Sequence, residues 1–163
     1  MQRVQGNKNV AVIECTSPKR NKWRIRWDFL PDADNNANAS YMEHEFPHKP
    51  TDDEIRTLVM KFYNDNIDRQ IISGFAYEGT PVWLSTENQF NYKSAFDLAL
   101  QTDGATLPVT FKLGTDTQPA YHTFTTIDEL RAFYTAAVAH IQQTLLNGWK
   151  QKDAFDLSKY KVD

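Results

Sequence analysis

Apolar residues recur along this chain with two rhythms, one of three and four over three long stretches and one of two over the shorter runs between them. The helical rhythm first picks out Ile55, Leu58, Val59, Phe62, Ile67 and Ile71, then Tyr92, Ala95, Phe96, Ala99 and Leu100 up to Gly104. The longest stripe carries Leu130, Phe133, Tyr134, Ala137, Val138, Ile141, Leu145 and Trp149, the pattern of a helix with one face packed on a sheet. Each stretch opens on a threonine followed three positions later by Glu or Gln: Thr51 and Glu54, Thr86 and Gln89, Thr126 and Glu129. In such a capping box the two side chains satisfy free backbone N–H groups of the first helical turn. Asp52, Asp53 and Glu54 at the first of these starts complement the helix dipole, which accounts for them without a bound cation.

The intervening runs predict strand pairs. WRIRWDF alternates, with Trp23, Ile25 and Trp27 on one face and Arg24 and Arg26 on the other, and pairs with VAVIEC before it or SYMEHEF after it. FAYEGTPVWL has a turn at Glu78 and Gly79, and LPVTFKLGTDTQPAYHTF a longer polar turn over 114–119. The expected fold is therefore α+β, an antiparallel sheet of three strand pairs, each followed by a helix, with the helices on one side. One domain spans 1–163, with N-terminal strands over 1–49, a polar loop expected to be mobile at 31–40, and a tail after 149 that frays or docks weakly.

Composition narrows the function more than the fold. A length of 163 residues suffices for one ordinary core, and a lone Cys15 rules out an internal disulfide. No signal peptide or apolar run long enough to span a membrane is visible, so a cytoplasmic or virion-associated protein is expected. A net charge of −3 gives no general attraction to nucleic acid or lipid. Aromatic residues make up 13%, enough to build a binding surface on Trp and Tyr.

Candidate chemistry is sparse. The letters H-E-F-P-H, from His44 to His48, imitate a zinc hydrolase motif, which works only on a helix, where its two histidines share a face. Pro47 disfavours a helix there, and on a strand the two histidines stand about 13 Å apart. His122 and His140 offer no spaced third ligand. Cys15 has no nearby cation to activate it and suits a small buried residue. Neither a phosphate loop nor a nucleophile elbow occurs, so no catalytic, metal or cofactor-binding residue is assigned. The basic, aromatic residues 19–27, with Trp23 and Trp27, could track a single nucleic-acid strand by stacking; the plainer reading is an edge strand with solvated arginines.

The stretch GTPVWLSTENQFNYKSAFDLALQTDGATLPVTFKLGTD and its continuation YHTFTTIDELRAFYTAAVAHIQQTLLNGWKQKD resemble the uncharacterised domain of the DUF4376 type, over about positions 50–160. The most telling part runs Leu84, Ser85, Thr86, Glu87, Asn88, Gln89, Phe90, Asn91. The resemblance implies a phage or prophage setting beside tail and tail-fibre proteins, which would be the partners, and brings no catalytic residues. A non-enzymatic tail component or fibre assembly factor is expected, with Trp83, Asn88, Gln89 and Tyr92 as interaction candidates. Alternatively Trp83 is core, and Asn88 and Gln89 only finish the helix cap. A carbohydrate-binding module using Trp23 or Trp83 as a platform is the other class of function considered.

Overall fold

The computed structural model describes residues 1–161. Strands β1 (Gln2–Asn7), β2 (Ile13–Ser17), β3 (Lys22–Pro31) and β4 (Asn38–Phe46) precede helix α1 (Asp52–Ser73). Next come β5 (Phe75–Tyr77), β6 (Thr80–Val82) and α2 (Thr86–Gln101), then β7 (Val109–Gly114), β8 (Pro119–Phe124) and α3 (Ile127–Asp153). A short 3-10 helix, Leu157–Tyr160, follows. The chain divides into two compact units, residues 1–62 with 153–163, and residues 63–152.

The architecture is α+β with antiparallel pairing throughout, but the expected single sheet of three hairpins is three separate sheets. The first has four strands in the order β1-β4-β3-β2, so hairpin-then-helix describes only the part of the chain from β5 to α3, about half of it. The departure has a local cause. Alternation of side chains tells which face of a strand is buried and not which strand lies beside it. The polar β1, QRVQGN, carries no apolar alternation at all and is held by its ladder to β4.

In the first unit the sheet buries Ile25, Trp27 and Met42, and the first half of α1 buries Ile55, Val59 and Phe62. Trp27 meets Phe62 edge to face, ring centroids 5.7 Å apart. The polar loop is narrower than expected, because β3 runs to Pro31 and β4 already begins at Asn38. The tail docks firmly: Tyr160 is buried and its hydroxyl donates to the carbonyl of Arg26 at 2.7 Å.

The second unit is built around Phe133, whose ring lies 5.0–5.7 Å from those of Tyr77, Tyr92, Phe111 and Phe124. Both hairpins, α2 and α3 contribute to this one cluster. The turn between β5 and β6 puts Glu78 at φ 50° and Gly79 at φ 78°. Two successive left-handed residues match the right-handed twist of short strands, which is why a glycine is at home there.

Candidate interaction surface

The start of α2 concentrates the residues singled out by sequence. Val82 and Leu84 are buried, and strand-like alternation turns Trp83 between them outward, 55% exposed. The backbone on either side is pinned. Leu84 N–H donates to the carbonyl of Ile72 at 2.8 Å, Asn88 Nδ2 to the carbonyl of Trp83 at 2.8 Å, and Gln89 Nε2 to the carbonyl of Leu84 at 2.7 Å. Ser85, not Thr86, is the N-cap, its hydroxyl accepting from Asn88 N–H at 3.3 Å.

Those bonds divide the expected surface. Asn88 and Gln89 spend their side-chain amides on the carbonyls of Trp83 and Leu84 just ahead of the helix, while Trp83 is not a core residue. Tyr92 is 4% exposed, packed on Phe111 at 4.6 Å, and burial pushes its hydroxyl pKa up. Trp83 alone of the four is largely exposed. Phe90, 68% exposed, was missed. Its signal was readable: it lies off the stripe that carries Tyr92, Ala95 and Ala99, where a large apolar side chain has no core to enter.

Phe90 stands at the rim of a groove of about 270 Å³ between α2 and α3, with Tyr92, Tyr134, Ala137, Val138 and Ile141 in its walls. Tyr134 in that wall stacks on Phe96, ring centroids 5.2 Å apart. Lys93, the charged residue of the lining, is paired with Asp97, and that bond raises its pKa. A second hollow of about 280 Å³ lies beside Trp83, lined by Ser73, Pro81, Val82, Gly114, Thr115 and Asp116.

The basic, aromatic segment is placed differently from expectation. Its strand β3 is interior, between β4 and β2, so its arginines are not solvated edge residues. Register sets Arg24 opposite Glu45 and Glu14, and Arg26 opposite Glu43. Arg24 Nη2 donates to Glu45 Oε1 at 2.5 Å and Arg26 Nη2 to Glu14 Oε1 at 2.5 Å, while Glu43 Oε2 is 3.6 Å from both guanidinium groups. The bond to Glu45 raises the Arg24 pKa and, reciprocally, lowers that of Glu45. Arg26 is 6% exposed and Trp27 2%. Trp23 is half-buried, its Nε1 donating to Asn21 Oδ1 at 2.9 Å, with the Lys49 ammonium 5.4 Å from its ring. Trp27, Arg24 and Arg26 therefore present no stacking track along this strand.

The H-E-F-P-H letters begin on strand β4 rather than on a helix. His44 lies 3.5 Å from the amino group of Met1, and burial lowers its pKa. His48 Nε2 sits 2.8 Å from Glu54 Oε1, joining the cap of α1, where Thr51 N–H donates to Glu54 Oε2 at 2.8 Å and Thr51 Oγ1 accepts from Glu54 N–H at 3.3 Å. Thr125, Thr126 and Glu129 repeat that arrangement at α3. No cluster of three or more His, Cys, Asp or Glu side chains that could hold a metal occurs among the described residues. Among them, too, no helix is long and apolar enough to cross a membrane.

No curated protein and no solved structure matches the chain. The family signal is nevertheless clear, running from the first turn of α1 through the capped start of α2 to the last residue: over residues 54–163 the chain belongs to the family described as Domain of unknown function (DUF4376).

Proposed function

We propose that this chain is a non-enzymatic protein of a phage or prophage tail region, a minor structural component or a tail-fibre assembly factor, which seats its partner protein in the groove between α2 and α3. The observation that supports docking is Phe90, 68% exposed on helix α2 beside an apolar groove. Leaving such a ring in water forgoes about 1.5–3 kcal/mol of burial, which a partner recovers. Apolar patches with aromatic anchors are the usual centres of protein interfaces. The lowered carboxylates fit the same reading, since Glu54 and Glu129 owe their shifts first to backbone N–H groups of their caps rather than to a cleft. The tail setting rests on the family resemblance alone.

The test is peptide mass spectrometry of particles purified from an induced lysate, with the chain quantified against the major tail protein, in wild type and in Phe90→Glu. A fixed ratio in particles marks a structural component; its presence in the extract bound to fibre protein, and not in particles, marks an assembly factor. Phe90→Glu loses either association while its thermal unfolding matches wild type. Absence from particles and from fibre protein overturns the proposal.

A further inference from the structure

We propose that the hollow beside Trp83 is a saccharide site that takes one neutral pyranose ring. This goes beyond the docking reading and uses different residues. A pyranose has one face of C–H groups and a rim of hydroxyls, so it is held by a flat aromatic surface together with acceptors placed at its edge. The indole of Trp83 supplies the surface, on a backbone fixed by hydrogen bonds to the main chain of Trp83 itself and of Leu84. Its exposure is therefore a feature of a rigid segment.

The edge of the hollow supplies the acceptors. Asp116 and Thr115 sit in the turn between β7 and β8, which is fixed by Thr115 N–H donating to Gln118 O at 3.1 Å and Gln118 N–H to Thr115 O at 3.2 Å. The exposed carboxylate of Asp116 has no partner among the described residues, unlike the glutamates of the first unit's sheet. Ser73 Oγ donates to the carbonyl of Arg69 at 2.8 Å, which leaves the oxygen able to accept from a sugar hydroxyl. Pro81 and Val82 complete the lining. A carboxylate accepting from hydroxyls makes charge-assisted bonds, roughly twice as strong as neutral ones. At about 280 Å³ the hollow falls just below the roughly 300–1,000 Å³ of drug-sized pockets, room for a single ring.

Charge selects among ring-shaped ligands. A nucleotide would stack on the indole equally well, but its phosphate would meet Asp116, and no Lys or Arg lines the hollow. The same repulsion disfavours uronic and sialic acids, leaving neutral sugars.

Uniformly ¹⁵N-labelled full chain is titrated with glucose, galactose, mannose and N-acetylglucosamine, and separately with glucuronate and a proline-rich peptide. The readout is the Nε1–H resonances of the 4 tryptophans, of which Trp83 is assigned as the peak missing from Trp83→Phe. A saturable shift of the Trp83 peak is expected for at least one neutral sugar and not for glucuronate. Asp116→Ala should weaken it about tenfold, and Trp83→Ala should abolish the sugar-induced shifts of the Thr115 and Asp116 backbone amides in a protein whose other amide peaks stay in place. No saturable shift with any of the four sugars at tens of millimolar overturns the site. So does a response to the peptide alone, which would make the hollow a peptide groove. Phe90→Glu should leave sugar binding unchanged, so failure here and failure of the docking reading are separately visible.

Discussion

The two units keep their polar and aromatic groups in opposite places. The first carries two arginines and three glutamates on one face of its sheet, and consumes them: Arg24 and Arg26 are matched by strand register to Glu14, Glu43 and Glu45. The second buries an aromatic cluster around Phe133 and still leaves Trp83 and Phe90 outside it. Surface groups satisfied by their own neighbours have little left to offer a ligand, whereas an exposed ring on rigid backbone does. The contrast is why the proposed docking surface is sought in the second unit, all of which lies inside the segment that matches the family.

If the second unit rests on apolar packing and the first on matched charge, their responses to truncation must differ in kind. Phe133→Ala removes the shared centre of five rings and should cost about 3–5 kcal/mol in urea unfolding, with no partner change able to restore it. Arg26→Met leaves Glu43, 8% exposed, without the cation directly opposite it in the strand register. Breaking a buried pair costs about 3–5 kcal/mol, and the lower end applies because Arg24 still faces Glu43. Here a second change does rescue: Arg26→Met with Glu43→Leu should return to wild-type stability or exceed it, as apolar replacement of whole buried pairs often does. A double variant no better than Arg26→Met would break the comparison.

What the sequence made legible follows the range over which each signal acts. The starts of α1 and α3 were legible because a capping box closes within four residues, and the stripe holding Leu130, Phe133 and Ala137 because 3.6-residue spacing is written in the helix itself. The cap of α2 slipped by one residue, since Ser85 and Thr86 both offer a hydroxyl and only the placement of Asn88 decides. The turn at Glu78 and Gly79 was legible for the same local reason. Strand partnership was not, because Arg24 and Arg26 read as a solvated edge until β2 and β4 are known to flank them. At the candidate surface, Trp83 was visible as an aromatic residue, but its exposure depends on Leu84 being pinned to Ile72, twelve residues earlier.

A smaller effect probes packing where α3 meets α1 within the second unit. Gly148 is buried, and a methyl group there would run into the side chain of Ile67. Gly148→Ala gains about 1 kcal/mol of helix propensity and meets an overpacking cost of about 1–3 kcal/mol, for a net loss on the order of 1 kcal/mol. In an Ile67→Ala background the clash is gone, and the same substitution should be neutral or stabilising. A loss of equal size in both backgrounds would mean that Ile67 is not what the glycine accommodates.

The smallest effect sharpens the comparison by acid. Glu45, lowered by Arg24, Glu54, lowered by Thr51, and Asp156, lowered by Ser158, all belong to the first unit; Glu129, lowered by Thr125, belongs to the second. A carboxylate whose folded pKa lies below its unfolded value adds stability that is complete above the ordinary carboxylate range, about pH 4, and is lost as pH falls through the lowered value. His44, also in the first unit, is a base lowered by burial. The unfolded chain takes up its proton first, so stability starts to fall once pH drops below about 6.5. Both signs point the same way, toward earlier loss in the first unit. Hydrogen exchange followed from pH 7 downward should show β4 amides losing protection before those of β7, after correction for the intrinsic rate. His44→Gln should delay that loss, and Glu54→Gln should reduce stability at neutral pH while converging with wild type in acid. If β7 opens first, the charges of the first unit are not what holds it, and the division of labour between the two units fails at its weakest link.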